Sequence, residues 1–404
     1  RLPPRSTLSS SSAASDVYKR QLNGNLVTLT NPRGYSASFA YDAADRLVSI
    51  TDAKGSRISY VYDRVDNLLQ STDRNGNLTT QVYDELNRLA QVINAENHHT
   101  LYAYDKVGNL TALTDPRSYV TRFEYDGLNR RIAQIDALQG LTRYEYDPAG
   151  NLLAKIDANK HAQRYEYDKV ARLVAAMNAE GHAATISYDA NGNPVALTDR
   201  NGNVTRLSYD ELDRLTLKID ALQGEWRYVY DPAGNLLTEI DANGHEDAYQ
   251  YDALNRAIRF TDAEGHSTIV AYDPNGNRVK VIDGNGHATL FEYDELDRLA
   301  AAANAEGEIT SFAYCAEGHR TDLIEADGIV TKYEYDRIYR LAAVIQNFQD
   351  GQPKAADLNV DTRYAYDPNG NLLEILNPRE YVTRFEYDPL NRQIKEIDAE
   401  GNTW

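Results

Sequence analysis

The sequence predicts an all-β protein of short antiparallel strands, and three observations lead to that prediction. A Tyr-Asp dipeptide recurs at a constant interval over most of the 404-residue chain, as at Tyr41, Tyr62 and Tyr83. Each repeat holds two turn signals, which leave about six residues between turns, too few for a helix and enough for a strand. Aromatic and charged residues alternate between the turns with the period of two that is typical of β-strands. We therefore expect one long antiparallel β-meander.

The repeat keeps its spacing with a single interruption. Asp follows every repeat tyrosine except Tyr314, which precedes Cys315. The step from Tyr335 to Tyr366 is longer than all the others, so we expect the excess near 346–361 to form a longer loop at one edge of the sheet. The repeat tyrosines are Tyr41, Tyr62, Tyr83, Tyr104, Tyr125, Tyr146, Tyr167, Tyr188, Tyr209, Tyr230, Tyr251, Tyr272, Tyr293, Tyr314, Tyr335, Tyr366 and Tyr387.

The first turn of each repeat directly follows the tyrosine. Asp at its first position is expected to cap the turn by accepting hydrogen bonds from the backbone, and a Pro at the second position pre-sets φ. Gly at the fourth position can take the left-handed conformation that closes a hairpin with a bulge. The repeat positions that we single out as structural are Tyr146, Asp147, Gly150, Tyr230, Asp231, Gly234, Tyr293 and Asp294.

Alternate first turns carry Asn or Asp at the fourth position and Arg at the fifth, in place of Gly-Asn. Asn and Asp are the residues besides glycine that best tolerate positive φ, so the substitution agrees with the turn geometry. Ala171 and Tyr339 occupy the same position and fit this rule poorly. The alternation makes the larger unit a pair of consecutive repeats.

The second turn lies midway between consecutive tyrosines, as at 241–244. A strand follows each second turn, and its residues alternate in type. In one such strand, Tyr144 and Tyr146 lie on one face of the sheet and Glu145 lies on the other. We expect the rings of neighbouring strands to stack in ladders worth about 0.2–1 kcal/mol per pair. The strand at 151–157 alternates less cleanly, which predicts a bulge. Roughly 36 strands in one meander exceed the about ten that an open twisted sheet usually holds, so the sheet should coil.

Residues 1–21 do not share the repeat. Residues 11–21 read SSAASDVYKRQ and resemble the translation of a sequencing-library adapter; a natural Ser-rich linker is the alternative. We therefore expect residues 1–21 to be a non-native, disordered segment. The repeat domain would span residues 22–404 and be truncated at both ends.

The Tyr-Asp step, the Gly-Asn-Leu turn at 234–236 and the Asn-Arg-Leu turn at 87–89 resemble the Rhs/YD-repeat family over residues 22–404. That family includes bacterial Rhs polymorphic toxins, the C-component of insecticidal toxin complexes, wall-associated YD proteins and animal teneurins. The resemblance implies a strand ribbon wound into a spiral, shell-like sheet, of which this chain would be a part. In the toxins such a shell encloses a C-terminal effector that is released by self-cleavage.

Composition narrows the function classes. A net charge of −19 argues against nucleic acid, whose phosphates require clustered Lys and Arg. The sequence has no apolar run of the roughly 18 residues that a membrane span needs. Abundant carboxylates are expected to cap turns or face solvent, so we predict no enzyme, no cofactor and no bound metal. The turns at 73–77 and 199–203 faintly resemble calcium loops but place Gly fourth instead of sixth, which leaves weak calcium binding open.

Histidine and cysteine are the remaining candidates for chemistry. Six histidines occupy the same place in their repeats, just past the second turn, namely His98, His161, His182, His245, His266 and His287. Successive repeats lie two strands apart, about 9.5 Å, which is too far for neighbours to share one zinc ion. We therefore expect surface histidines along one edge. Cys315 replaces a turn Asp without a fixed partner histidine, so a nucleophile is not predicted there.

The resemblance and the regular repeat together predict a non-enzymatic encapsulating scaffold, a fragment of a large secreted bacterial Rhs-type toxin. Its partner would be a C-terminal effector domain of the same parent chain, absent here, with secretion-system or carrier components beside it. The alternative is a cell-surface adhesion or glycan-binding YD-repeat protein with carbohydrate as its partner. Both place the protein outside the cell or on its surface. The codons that follow this segment in the parent gene would separate them.

Overall fold

The computed structural model describes residues 16–404 and contains 36 β-strands and no helix in that range. Accordingly, none of the described residues belongs to a helix that could cross a membrane. The strands in chain order are β1 Val17–Arg20, β2 Leu26–Thr30, β3 Ser36–Tyr41, β4 Leu47–Thr51, β5 Arg57–Tyr62, β6 Leu68–Thr72, β7 Leu78–Tyr83, β8 Leu89–Ile93, β9 His99–Tyr104, β10 Leu110–Thr114, β11 Val120–Tyr125, β12 Arg131–Ile135, β13 Leu141–Tyr146, β14 Leu152–Ile156, β15 Ala162–Tyr167, β16 Leu173–Met177, β17 Ala183–Tyr188, β18 Pro194–Thr198, β19 Val204–Tyr209, β20 Leu215–Ile219, β21 Glu225–Tyr230, β22 Leu236–Ile240, β23 Glu246–Tyr251, β24 Ala257–Thr261, β25 Ser267–Tyr272, β26 Arg278–Ile282, β27 Ala288–Tyr293, β28 Leu299–Ala303, β29 Ile309–Tyr314, β30 Arg320–Ile324, β31 Val330–Tyr335, β32 Leu341–Gln346, β33 Val360–Tyr366, β34 Leu372–Leu376, β35 Val382–Tyr387 and β36 Gln393–Ile397.

Strands that are neighbours in sequence pair antiparallel, as the short turns require. The pair β13–β14 shows the register of a hairpin closed by a first turn. Glu145 lies opposite Ala154, but Tyr146 lies opposite Leu152, so Leu153 is an extra residue on β14. This shift is the predicted bulge, and it recurs at other first turns along the chain. The second-turn hairpin β14–β15 has an unbroken register.

The turns have the backbone that the residue pattern predicts. In the turn of Asp147, the N–H of Gly150 donates to the carbonyl of Asp147 at 3.1 Å. Gly150 has φ of 95°, in the left-handed region that glycine favours. Alternate turns adopt the same conformation with other residues, such as Asn255 at 58°. Even Ala171 and Tyr339 adopt it, at 62° and 69°, so turn geometry overrides local preference at these two sites.

The chain divides into two compact units that share this hairpin architecture. The larger one comprises residues up to 120, 271–281 and 287–404, and the smaller one comprises 121–270 and 282–286. Few side chains are fully buried in either unit. Ala154, only 1% exposed, lies in the middle of β14 and pairs across the strands with Glu145 and Arg164. A small residue is suited to this position because long side chains stand beside it on both sides.

Strand β1 lies in the segment that was predicted to be disordered. Residues 1–15 lie outside the described residues, but Val17–Arg20 pair antiparallel with β2. All four residues of β1 are exposed. Backbone hydrogen bonds to the free edge of β2 hold the strand, and any extended segment can make them without the repeat pattern. Within the described residues, the paired strands therefore include residues 17–20, which precede the predicted domain boundary at residue 22; the adapter origin of the segment stays a prediction.

The excess residues between Tyr335 and Tyr366 form the expected loop, which connects β32 to β33. The loop is anchored as well as extended. The N–H of Phe348 donates to the carbonyl of Val330 at 2.8 Å, and the Lys332 ammonium lies 4.4 Å from the centre of the Phe348 ring. The loop thus folds back on the strand β31.

Candidate functional site: the two turn edges

The first-turn aspartates cap their own turns. The backbone N–H of Asn151 donates to Oδ1 of Asp147 at 2.9 Å, and its side-chain amide donates to Oδ2 at 2.8 Å. Asp231 and Asn235 repeat this arrangement with the same distances. Hydrogen bonds to the ionised form lower the pKa of both aspartates, with the Asn side chain as the largest cause. These carboxylates are acceptors in the turns and have no proton to exchange at neutral pH.

Asp294 is the most strongly perturbed of the singled-out residues. It accepts from Nε of Arg298 at 2.7 Å and from the Lys54 ammonium at 2.9 Å, and its side chain is 10% exposed. Desolvation pushes the pKa of Asp294 up. The hydrogen bonds from Arg298 and Lys54 outweigh it and hold the pKa at about 2. Lys54 belongs to a second turn in the first part of the chain, so this carboxylate also joins two turns that are distant in sequence.

In many repeats the hydroxyl of the repeat tyrosine makes a hydrogen bond that phenylalanine could not make. The hydroxyl of Tyr146 donates to the carbonyl of Arg131 at 3.0 Å, on the preceding strand. Tyr230 donates to Leu215 at 2.9 Å in the same way. These bonds tie the two tyrosines to the residue that leaves the preceding first turn, whereas the Tyr83 hydroxyl donates to Oε1 of Gln81 instead. Sequence reasoning missed this role because the partner is a main-chain atom.

Arginine at the fifth position of alternate turns connects consecutive repeats. In one example, Arg214 binds Asp210 of its own turn at 2.8 Å and donates to the carbonyl of Asp231 in the next turn at 2.9 Å. Its guanidinium lies 5.0 Å from the centre of the Tyr230 ring. The Gly-Asn turns complete the connection, since the Asn235 amide donates to Oδ1 of Asn255 in the following turn at 2.9 Å. The two-repeat unit therefore contains two different links between consecutive first turns, one made by arginine and one by asparagine. We call the side of the sheet on which the first turns lie a turn edge, and the side with the second turns is the other turn edge.

This arrangement corrects the predicted aromatic ladders. The guanidinium of Arg130 lies 5.0 Å from the ring centre of Tyr146. Other repeat tyrosines have an arginine guanidinium over the ring in the same way, namely Tyr62, Tyr104, Tyr188, Tyr230, Tyr314 and Tyr366. A ring-to-ring contact across strands joins Tyr249 and Phe260, at 5.3 Å. Successive repeat rings are separated by an intervening strand, so a long cation reaches them more easily than another ring does.

In the larger unit, second turns from the first part of the chain meet first turns from its last part. We call this contact the turn seam. For example, the backbone N–H of Arg74 donates to Oε1 of Glu317 at 2.6 Å, and its guanidinium lies 3.5 Å from Oε2 of the same residue. The second turns in the seam lie at 31–34, 52–55, 73–76, 94–97 and 115–118, and the first turns at 273–276, 294–297, 315–318, 336–339, 367–370 and 388–391.

Arg33 makes an extensive contact in the seam. Its backbone N–H donates to Oδ1 of Asn275 at 3.0 Å, and its guanidinium binds Oδ1 of Asp297 at 2.7 Å. The guanidinium also donates to the carbonyls of Tyr293 and Asp294 at 2.7 and 2.8 Å. The side chain is only 16% exposed. One arginine therefore binds two consecutive first turns, 242 residues or more away in sequence.

Arg117 repeats this contact further along the seam. Its backbone N–H donates to Oδ1 of Asn369 at 3.2 Å, and its guanidinium donates to Oδ1 of Asn391 at 3.1 Å. The carbonyls of Tyr387 and Asp388 accept at 3.3 and 3.2 Å. We call the Arg-bearing second turn the donor turn and the two first turns that receive it the acceptor pair. Each acceptor pair has Asn at the third position of its first member.

Tyr339 shows how the seam supports an unfavourable backbone. Its hydroxyl donates to Oδ2 of Asp73, and the Asn77 amide donates to that hydroxyl at 2.8 Å. The ring stacks on His319 with 4.6 Å between ring centres. Desolvation and then the Asp73 hydrogen bond raise the pKa of Tyr339 to about 12. These contacts offset the cost of positive φ at a non-glycine residue.

The candidates for chemistry lie in ordinary turn positions. His161, His182, His245, His266 and His287 are exposed, and His98 is half-buried. Within one turn, ligand atoms of Asp262, Glu264 and His266 lie within 4.8 Å of one another. The sequence analysis compared histidines of successive repeats and did not consider residues of a single turn. Exposed acidic groups of this kind are common without a metal ion. Cys315 takes part through its backbone, since its carbonyl accepts from Arg298 at 2.8 Å.

These observations define a class of protein: a repeat β-sheet protein whose functional surfaces are its turn edges. Two family models match separate parts of the chain. The teneurin YD-shell model matches residues 10–151, and the RHS repeat model matches 188–225, 230–267, 251–288, 272–309 and 366–403. The chain belongs to the Rhs/YD-repeat family, as the Tyr-Asp step predicted. No curated protein sequence matches it.

Solved structures show the same fold. A crystal structure of TcdB2-TccC3 without its hypervariable C-terminal region superposes with a TM-score of 0.70 at 16% identity, covering 94% of this chain and 23% of that one. TcdB2-TccC3-TEV gives 0.61 at 16% identity, covering 96% and 24%. The Photorhabdus luminescens Tc holotoxin pore with the mutation TccC3-D651A gives 0.55 at 18% identity, covering 94% and 22%. The predicted shell-type fold is thereby confirmed, and this chain spans about a quarter of the length of those proteins.

Proposed function

We propose that the chain is part of a non-enzymatic shell that encloses a C-terminal effector domain of the same parent chain and helps to deliver it from a secreted toxin. The observation that carries the proposal is the fold, which matches TcdB2-TccC3 over 94% of this chain. That protein has a hypervariable C-terminal region, which its structure lacks. We therefore expect the enclosed effector of this chain's parent to be variable as well. A carrier component would be the second partner.

The local chemistry supports a scaffold. Binding and catalytic residues are usually found on loops. Here most loops are turns of minimal length, and their polar groups bind other turns. Asp294, for example, is held near pKa 2 by two cations, which suits a permanent anion and not a general acid or base. We therefore expect no turnover from the chain.

Protease protection tests the proposal. The parent reading frame would be expressed through its end and digested with trypsin under native conditions. We expect the repeats to survive and the residues beyond them to be protected while the shell is intact. A parent with Arg33→Ala and Arg117→Ala, which weakens the turn seam, should expose those residues sooner. The proposal is wrong if the parent continues into a wall anchor, or if the following domain is cut as fast as it is when expressed alone.

A further inference from the structure

One second turn carries three different metal-ligating side chains. Asp262, Glu264 and His266 occupy the first, third and fifth positions of the turn at 262–266, a combination that no other second turn in the sequence has. Their ligand atoms lie within 4.8 Å of one another. The sequence analysis expected no bound metal because it compared histidines of different repeats, which stand too far apart. Within this one turn the distances are short enough for shared coordination.

The turn directs the aspartate and the imidazole to the same point. Oδ1 of Asp262 accepts the backbone N–H of His266 at 2.8 Å, which leaves Oδ2 to face the imidazole. Oδ2 lies 3.4 Å from Nδ1 of His266. Two ligands that are each about 2.0–2.1 Å from a tetrahedral zinc ion lie about 3.3–3.4 Å apart. The two atoms are therefore already separated like two ligands of one zinc ion.

The next second turn, at 283–286, lies directly against His266. A Cβ atom added at Gly284 would lie 2.8 Å from Cβ of His266, which is closer than two side chains can approach. Ala occupies this second position of the turn in most repeats, as at Ala263. Glycine thus makes room for the main chain of 283–286 beside His266. A side chain that is confined in this way loses less conformational freedom when it binds an ion.

The charge of the turn favours a cation. Among residues 16–404, neither Asp262 nor Glu264 forms an ion pair with a lysine or an arginine, and the ionic partner of Asp262 is His266. A divalent ion would neutralise both carboxylates. Exposed carboxylates alone occur without a metal ion, but the imidazole nitrogen at coordination distance distinguishes this turn from purely acidic ones.

We propose that Asp262, Glu264 and His266 bind one zinc ion, with the fourth coordination position open to solvent. One imidazole nitrogen and two carboxylate oxygens form a donor set that suits zinc. Calcium needs about six to eight oxygen ligands, which this turn does not supply. The turn at 262–266 lies outside the turn seam, so the site goes beyond the proposed shell function.

The turn at 178–182 provides a matched control within the same chain. It has Glu180 and His182 at the third and fifth positions, but Asn178 replaces the aspartate at the first position. Glu180 and His182 are both exposed, as Glu264 and His266 are. A substitution at Glu180 therefore removes the same charge from the same turn position without removing a ligand of the proposed site.

Isothermal titration calorimetry with zinc chloride tests the proposal on the whole chain, prepared without a histidine tag and treated first with a chelator. We expect the tightest binding step to take up one zinc ion per chain. Glu264→Gln and His266→Gln should each weaken that step at least about tenfold, since loss of even an outer-shell partner of a metal ligand typically costs this much affinity. Glu180→Gln should bind zinc like wild type.

Far-UV circular dichroism would establish that every variant is folded, so that lost binding is not lost structure. A wild type that binds no zinc would overturn the proposal. A tightest step that Glu264→Gln and His266→Gln leave unchanged, or that Glu180→Gln weakens equally, would overturn it as well. None of these outcomes bears on the enclosed effector, which protease protection of the parent tests separately.

Discussion

The ion pair between Lys54 and Asp294 allows the stabilisation of the fold by one contact of the turn seam to be measured. The pKa of Asp294 falls from the usual 3.8 to about 2 in the folded chain. At about 1.4 kcal/mol per pKa unit, this corresponds to about 2 kcal/mol of stability at neutral pH from all the partners of Asp294 together, among which Arg298 comes before Lys54. Since the folded pKa is the lower one, the stabilisation is complete above pH 4 and is lost as the pH falls from about 4 to about 2. Replacing Asp294 by Asn removes the charge and keeps the shape.

Urea unfolding followed by circular dichroism at pH 7 and at pH 3 measures the effect. We expect Asp294→Asn to lower the free energy of unfolding by about 2 kcal/mol at pH 7 and by clearly less at pH 3. Asp252→Asn is the control, because Asp252 makes the same pair with Arg256 but has no lysine partner within residues 16–404. Lys54→Met should remove part of the Asp294 effect, and a double variant should show coupling. Equal losses at both pH values, or equal losses for both aspartates, would refute the role of the seam.

Three other substitutions test the turn edges. Tyr230→Phe should cost about 1 kcal/mol through its lost hydrogen bond, whereas Tyr228→Phe, whose hydroxyl has no hydrogen-bond partner among residues 16–404, should be nearly neutral in the same urea experiment. The absorbance titration of wild type minus that of Tyr339→Phe should show one tyrosine ionising near pH 12, since the chain has 30 tyrosines. The raised folded pKa means that the stabilisation by Tyr339 is lost between about pH 10 and 12. A difference that titrates near pH 10 would contradict the contact with Asp73. Asp231→Ala should lower the melting temperature by removing a turn cap, without any change of activity in a hydrolase panel; an unchanged melt would show that the cap is dispensable.

Local structure was predictable because its causes lie within one repeat. Asp147 and Gly150 determine a turn through hydrogen bonds and φ values that belong to the turn itself. The strand bounds follow from the distance between turns. The role of Arg214 was not predictable in the same way, because its partners are an aspartate of its own turn and a carbonyl of the next one. The alternation of Asn and Arg was visible, but it was attributed to turn geometry alone.

The turn seam was beyond single-sequence reasoning. Arg33 and Asp297 are 264 residues apart, and no local pattern connects them. A weak signal did exist, since Arg33, Arg117 and Arg379 share a Pro before and a Tyr after them, against the Ala-rich second turns elsewhere. Strand β1 was missed for the opposite reason. Its pairing with β2 uses backbone atoms, which carry no residue pattern.

The two kinds of first turn give the repeat array a parity. An asparagine-type turn needs a side-chain acceptor at the fourth position of the next turn, as Asn235 requires Asn255, whereas an arginine binds a main-chain carbonyl that any first turn offers. Loss of one arginine-type turn would place two asparagine-type turns side by side and leave an amide without its acceptor, and loss of one asparagine-type turn would place two guanidinium groups in consecutive turns. Loss or gain of a consecutive pair of repeats would leave every linkage intact. Such an array can therefore lengthen or shorten only in even steps, whereas a loop like 347–359 can be inserted freely because it leaves the order of turns unchanged.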